Sequence, residues 1–167
     1  MLKHITQVEP WVVQGLMELY RESMAQLARR FESPQAMEQA YGEFLKEFVT
    51  HPNQMVLVEE VDGVWVSGLR CVECAPGVWF LEALETAPQA RGKGWAKQLI
   101  THTQQQLTQL GAHELFSLID PENTPSIATH VACGFMATQR EPVSGWGEEQ
   151  PGDVWYAWQR EGAQPCT

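Results

Sequence analysis

The sequence predicts a mixed α/β fold, with a partly antiparallel central sheet flanked by helices. Apolar residues recur at helical spacing in several segments, whereas the segments between them are short, β-rich and bounded by glycine or proline. Strands and helices alternate in the second half of the chain. With 167 residues and 44% hydrophobic side chains, the chain is long enough for its own core, and we expect one domain over residues 1–167.

The first half of the chain begins with a short strand in LKHITQV, which two helices follow. Pro10 suits the start of a helix, where its missing N–H is not needed, and apolar periodicity predicts a first helix over residues 11–30. Ser33 is a good N-cap before Pro34, so a second helix is expected to run from there to the HPN break at 51–53.

Three consecutive strands are predicted next. Two β-rich runs meet at Asp62-Gly63, a dipeptide that favours the tight turn of an antiparallel hairpin. The segment APG separates them from a third run, VWFLEALETA, which completes an antiparallel meander. A helix over 95–110, the strand HELFSLI, the short helix PSIATHVACG and a final strand, DVWYAWQRE, follow. We expect locally parallel strands on either side of each crossover helix.

Composition restricts the possible partners. Twenty-one acidic residues against eleven Lys and Arg give a formal charge of −10, which repels nucleic acid and anionic membranes, so neither is an expected partner. The charge favours a cationic, amine-bearing substrate, although a solvated acidic surface that keeps the protein soluble explains it equally well. With no leader-like segment and no apolar run near the ~20 residues of a membrane span, we expect a cytoplasmic protein.

Four cysteines are present, and Cys71 and Cys74 have the C-x-x-C spacing of metal and redox sites. Their segment is predicted to be a strand, in which residues three apart point to opposite faces and cannot readily share one ion. We therefore expect reduced thiols, including Cys133 and Cys166, and no metal site.

The segment QARGKGWAKQL places glycines and basic residues just before a predicted helix. It fits neither a P-loop, because Trp95 follows Gly94 where a lysine is required, nor the dinucleotide fingerprint, because Lys97 replaces the third glycine. The helix N-terminus can still hold a phosphate or pyrophosphate, with close backbone approach at Gly92 and Gly94. An ordinary strand-to-helix turn with solvated basic residues is the alternative.

Two motifs in this part of the chain resemble the GNAT superfamily of acyl-CoA-dependent N-acetyltransferases. The pyrophosphate signature of that family, [R/Q]-x-x-G-x-[G/A], is met by Arg91, Gly94 and Ala96. Downstream, NTPSIATHVACGF carries N-x-x-S-I, a histidine four residues before a glycine, and G-F. The sequence departs from the family at Thr86, where an apolar residue is usual, and at His130, which stands where many members have tyrosine.

The resemblance implies acetyl-CoA as co-substrate, held in a V-shaped opening between the strand ending near Ala87 and the strand ending near Ile119. The pyrophosphate would lie on the 91–96 turn, and backbone amides near Leu84 to Thr86 would stabilise the oxyanion. The implied cofactor-binding residues are Leu84, Thr86, Arg91, Gly92, Lys93, Gly94, Trp95, Ala96, Asn123 and Ser126.

Glu82 is the first candidate for the base that removes a proton from the amine, at a position where similar GNAT proteins often have glutamate. Strand alternation places it on one face with Phe80 and Leu84, and apolar neighbours would raise its pKa. A bulge would upset that alternation, which makes Glu85 the second candidate for the base. The alternative is that Glu82 is simply solvated and has no catalytic role. His130 is the candidate general acid, with a packed structural histidine as the alternative.

The resemblance therefore implies an enzyme that moves an acetyl group from acetyl-CoA to a primary amine of a small molecule or peptide, by direct attack in a ternary complex. Trp146, in a glycine-rich acidic loop, either covers a cationic acceptor or belongs to a solvated hairpin. The alternative function is a non-catalytic module that binds or senses acyl-CoA. A homodimer is left open.

Overall fold

A computed structural model describes residues 1–162, so Cys166 lies outside the described residues. The helices are α1 Pro10–Leu19, α2 Arg21–Leu27, α3 Pro34–Phe48, α4 Trp95–Gln109 and α5 Thr124–Ala132, with 3₁₀ turns at Ala28–Arg30 and Pro88–Ala90. The strands are β1 Leu2–Ile5, β2 Gln54–Val61, β3 Val64–Ala75, β4 Val78–Thr86, β5 Glu114–Ile119, β6 Met136–Ala137 and β7 Val154–Gln159.

The strands form one mixed sheet in the order β1-β2-β3-β4-β5-β7-β6. β1 pairs antiparallel with β2, β4 pairs parallel with β5, and β7 pairs antiparallel with both β5 and β6. The two-residue connections at Asp62–Gly63 and Pro76–Gly77 make the β2–β3–β4 meander antiparallel. The predicted fold class, a partly antiparallel sheet with helices, is therefore confirmed.

Two elements differ from the prediction. The first helix ends at Leu19 and restarts at Arg21, because Tyr20 adopts a non-helical conformation. Leu19 and Tyr20 pack against Gly68 of β3, where a Cβ would stand 2.7 Å from the leucine side chain. In the second half, β5 and β6 run in the same direction across α5, but β7 lies between them and is antiparallel to both.

Contacts divide the described chain into two compact units, so the expectation of one domain stays a prediction. Unit 1 comprises Met1–Arg70 and Ala83–Leu99. Its core buries one face of α1 and α3 together with β1 and β2, and includes Leu16, Leu45 and Val58. Ser33 caps α3 as predicted, accepting a hydrogen bond from the Ala36 amide at 3.0 Å.

Unit 2 comprises Cys71–Glu82 and the chain from Ile100 onward. Phe116 of β5 is central to its core, stacked on Trp155 at 3.8 Å between ring centroids and tilted against Phe80 at 5.0 Å. Cys71 is buried and Cys74 is exposed, as expected for positions three apart in a strand. No helix in residues 1–162 is long and apolar enough to span a membrane.

Candidate active site

The predicted anion-binding turn lies in unit 1, between the 3₁₀ turn after β4 and the start of α4. Gly92 and Gly94 adopt φ values of 73° and 81°, a region that favours glycine. A Cβ on either one would meet no atom of the described residues within 4 Å, so the backbone there is open to a ligand. Trp95 begins α4, whose first amides and dipole favour an anion.

The side chain of Arg91 is fixed by contacts with other residues of unit 1. Its Nε donates to the Thr86 carbonyl at 3.1 Å, and its guanidinium forms a bidentate ion pair with Glu22 of α2. This hydrogen-bonded pairing raises the pKa of Arg91 and lowers the pKa of Glu22. Glu22 was not predicted here, because nothing in the local sequence pattern points to a residue 69 positions away.

The end of β4 is irregular at Ala83, whose φ of 53° is left-handed. This conformation interrupts the alternation of side chains along the strand. Alternation alone therefore no longer places Glu82 and Leu84 on the same face of the sheet. An irregularity of this kind is the reason for keeping Glu85 as the second candidate base, and the choice between the two carboxylates stays a prediction. Beyond it, the Thr86 hydroxyl lies 3.1 Å from the hydroxyl of buried Ser67.

A cavity of about 400 Å³ lies in unit 1 beside Leu84 and Glu85. Most of its lining is aromatic or aliphatic and comes from α2, α3, Tyr20 before α2 and Phe31 between the two helices, and β3 and β4 supply the rest. The lining residues are Tyr20, Ser23, Met24, Leu27, Phe31, Met37, Ala40, Tyr41, Phe44, Arg70, Ala83, Leu84 and Glu85. Sequence reasoning missed this cavity, and only the apolar stripe of α3 could have hinted at it.

Polar groups are few in the cavity. Ser23 donates a hydrogen bond to Glu85 Oε2. Arg70 stacks its guanidinium over the ring of Phe44 at 5.0 Å. Burial raises the pKa of Tyr41 to about 12, against a smaller lowering by the positive charge of Arg70 and with a further small increase from Glu85, so this phenol stays neutral at physiological pH.

Glu82 belongs to unit 2, where Trp146 Nε1 donates to its Oε2 at 3.2 Å. The indole is 44% exposed. Its loop is a short hairpin, with a bridge between Val143 and Glu149 and two loop amides donating to the Ser144 hydroxyl. Trp146 is therefore placed by a defined turn and fixes one carboxylate oxygen of Glu82.

His130 also belongs to unit 2 and is 2% exposed. Its Nδ1 lies 2.8 Å from the Ser126 carbonyl, and its Nε2 lies 3.1 Å from the Ser117 hydroxyl, whose single proton is shared between Nε2 and the Leu81 carbonyl at 3.1 Å. Burial lowers the pKa of His130 and favours the neutral imidazole, in which Nδ1 carries the proton because a carbonyl can only accept. A general-acid role stays a prediction.

Asn123 and Ser126 have local structural contacts at the start of α5. The Asn123 side chain caps the helix by accepting from the Ser126 amide at 3.3 Å. The predicted site residues thus fall in two groups. Unit 1 holds Leu84, Thr86 and the 91–96 turn, and unit 2 holds Glu82, Asn123, Ser126 and His130.

Comparison with known proteins agrees with the fold and with the family that the sequence resembles. A family model described as acetyltransferase (GNAT) family matches residues 16–135, well over half of the chain. An aminoglycoside N(6')-acetyltransferase type 1 from Serratia marcescens is 44% identical over 63 residues, which are 38% of this chain and 43% of that protein. A protein of the same name from Salmonella typhimurium matches with the same identity and coverage. The match thus spans less than half of these relatives.

Solved structures share the fold over nearly the whole chain. The PaiA N-acetyltransferase from Thermoplasma acidophilum, in complex with coenzyme A, aligns with a TM-score of 0.70 and 14% identity, covering 96% of this chain and 99% of that one. A ribosomal-protein-alanine N-acetyltransferase from Brucella melitensis gives a TM-score of 0.69 and 20% identity at the same coverage. At these identities, the likeness shows a common fold.

Proposed function

The chain belongs to the acetyltransferase (GNAT) family, and from this premise we propose that it transfers an acetyl group from acetyl-CoA to a primary amine. The observation that carries the proposal is the 91–96 turn. Two left-handed glycines leave an open backbone at the start of α4, and basic Arg91 and Lys93 flank the first of them. Such a turn suits the pyrophosphate of CoA. Asn123 and Ser126, at the start of α5, are proposed to help hold the cofactor.

The chemistry is a direct transfer within a ternary complex. The amine nitrogen forms a bond to the thioester carbonyl carbon, and the carbon–sulfur bond then breaks. Backbone amides near Leu84 to Thr86 stabilise the oxyanion, Glu82 accepts the proton lost by the amine, and the departing thiolate takes a proton from His130 or from water.

The proposed reaction does not by itself specify which amine accepts the acetyl group. Relatives that share one segment of the chain are named for aminoglycosides, so an aminoglycoside is one candidate acceptor. The cavity could take the acceptor, because its wall includes Leu84 and Glu85, two of the residues whose amides are proposed to stabilise the oxyanion. A small-molecule amine suits an enclosure of this size.

Thiol release from acetyl-CoA across a panel of primary amines tests the proposal, with mass spectrometry to identify the acetylated product. We expect release that requires both enzyme and amine. Gly94→Val should abolish it by blocking CoA binding. If calorimetry shows CoA binding to the parent protein but no amine elicits thiol release, the chain is instead a non-catalytic acyl-CoA-binding module.

A further inference from the structure

The cavity beside Leu84 and Glu85 combines enclosure with exposed apolar surface. Leu27, Phe31 and Phe44 line it and remain 38%, 37% and 39% exposed. Soluble proteins rarely cluster large apolar side chains at the surface without a ligand or partner. Together with the methionines deeper in the lining, these residues form a wall suited to an apolar body.

One carboxylate in this wall is incompletely satisfied. Glu85 Oε2 accepts from Ser23, but Oε1 is buried and meets no hydrogen-bond donor among the described residues. Glu85 lines the cavity, so its negative charge favours an ammonium group on a ligand bound there. Glu85 is adjacent to Leu84, so an amine held there lies next to the proposed oxyanion donors.

The same wall contains a fixed positive charge. The Arg70 guanidinium stacks over Phe44 and Phe48, at 5.0 and 5.7 Å from the two ring centroids. It therefore stays at the cavity, where a second ammonium on the ligand would experience like-charge repulsion. Glu85 is the only carboxylate among the described lining residues, so a polycation would find one favourable partner and one unfavourable charge.

We propose that the acceptor is a primary monoamine with an apolar body, held by Glu85 and Ser23, and that Arg70 excludes polyamines and aminoglycosides. The inference rests on the proposed function and narrows its acceptor. Specificity of this kind needs an unfavourable element as well as a favourable one, and Arg70 supplies the former.

The test compares n-hexylamine with 1,6-diaminohexane, which differ by one terminal ammonium group. We expect kcat/KM to be at least about tenfold higher for hexylamine, because the diamine would bury a second charge or meet Arg70. From propylamine to hexylamine, each added methylene should raise kcat/KM about threefold to fourfold. Kanamycin should be a poorer acceptor than hexylamine.

Two variants test whether residues of the cavity cause the preference for hexylamine over 1,6-diaminohexane. Arg70→Met keeps an apolar stem and removes the charge, so it should reduce the preference for hexylamine severalfold. Leu27→Glu changes an exposed lining position and should also favour the diamine, by adding a carboxylate. Arg160→Met removes one positive charge outside the cavity and should leave the preference unchanged.

Equal or greater kcat/KM for the diamine or for kanamycin would overturn the inference and leave acetyl transfer intact. If no amine is acetylated, the proposed function fails, and calorimetric binding of the same two amines decides the inference on its own. Tighter binding of hexylamine, with the preference lost in Arg70→Met, would sustain it. Equal binding, tighter binding of the diamine, or no binding of hexylamine would refute it.

Discussion

Glu82 and Glu85 are three residues apart on β4 but have different surroundings. Glu82 accepts from the Trp146 indole, and Glu85 lines the cavity with Ser23. The left-handed backbone of Ala83 stands between them and breaks the simple alternation of faces. The proposal therefore gives the two carboxylates different roles, proton removal for Glu82 and binding of the amine for Glu85.

This difference predicts a kinetic separation. Glu82→Gln should lower kcat by about 10²-fold or more, the size expected for a lost general base, with little change in KM for the amine. Glu85→Gln should mainly raise that KM, because it weakens the contact with the bound ammonium. Steady-state kinetics on hexylamine measures both.

Trp146→Phe is the control, because it removes only the indole hydrogen bond to Glu82 and should lower kcat less than Glu82→Gln does. If Glu82→Gln keeps full kcat and Glu85→Gln loses it, the base is Glu85. If both variants keep full kcat, the proton is taken by another group or by solvent.

His130 predicts a pH dependence of stability. Burial lowers its pKa in the folded state, so between that lowered pKa and the ordinary value of about 6.5 the unfolded chain binds more protons. The free energy of unfolding should therefore rise with pH through this window, and the contribution should be complete above about pH 6.5. Below this pH window, His130 is protonated in the folded protein as well, and the free energy of unfolding is reduced by the cost of burying that charge.

Urea unfolding at several pH values between 5 and 7.5 measures the effect. His130→Gln should be less stable at neutral pH, and its stability should change less across this range. His4, whose pKa burial also lowers, is present in both proteins, so its contribution cancels in the comparison. An unchanged pH slope in the variant would show that His130 does not titrate differently in the folded state.

At the scale of elements, the 91–96 turn yields a sharp test of cofactor binding. Gly94→Ala should weaken CoA binding more than Lys93→Ala does, because it adds a Cβ at a left-handed position where the backbone must approach an anion. Calorimetry with CoA gives both affinities.

Gly63 is a matched control for backbone strain. It has a φ of 77°, similar to that of Gly94, and likewise has no atom within 4 Å of a Cβ among the described residues, but it lies in the β2–β3 turn. Gly63→Ala should carry a similar cost in stability and leave CoA affinity unchanged. Equal loss of affinity in both glycine variants would mean that strain, rather than the cofactor contact, explains the effect.

Elements with strong local signals were predicted well. The Asp62–Gly63 hairpin follows from turn chemistry, and the start of α3 follows from its Ser33 cap. The break at Tyr20 was missed, because helical periodicity continues through it and the close contact with Gly68 is distant in sequence. Two-residue β6 was missed for a different reason, since it is too short to show a period.

The same distinction applies to the candidate site. The glycine turn is local, and its backbone requirements are visible in the sequence. The cavity is assembled from α2, α3, β3 and β4, so no window of sequence contains it. The hydrogen bond from Ser23 to Glu85, across 62 positions, shows why its chemistry required three-dimensional coordinates.

At the scale of the whole molecule, the formal charge of −10 acts on a charged substrate before any contact forms. A protonated amine is attracted by this charge. Salt screens the attraction, since the Debye length shortens to about 8 Å at 0.15 M ionic strength. The acidic composition therefore has a consequence for substrate capture that is separable from the local contacts of Glu85.

We expect kcat/KM for benzylamine, at saturating acetyl-CoA, to fall severalfold as ionic strength rises from about 0.01 to 0.2 M, because screening weakens the attraction between the cation and the acidic protein. Benzyl alcohol has nearly the same shape without the charge. As a competitive inhibitor against benzylamine, it should keep an inhibition constant that hardly changes with salt. A parallel loss of affinity for the alcohol would trace the salt effect to the cavity itself. A kcat/KM for benzylamine that is constant with salt would mean that the net charge serves solubility and has no part in capturing the amine.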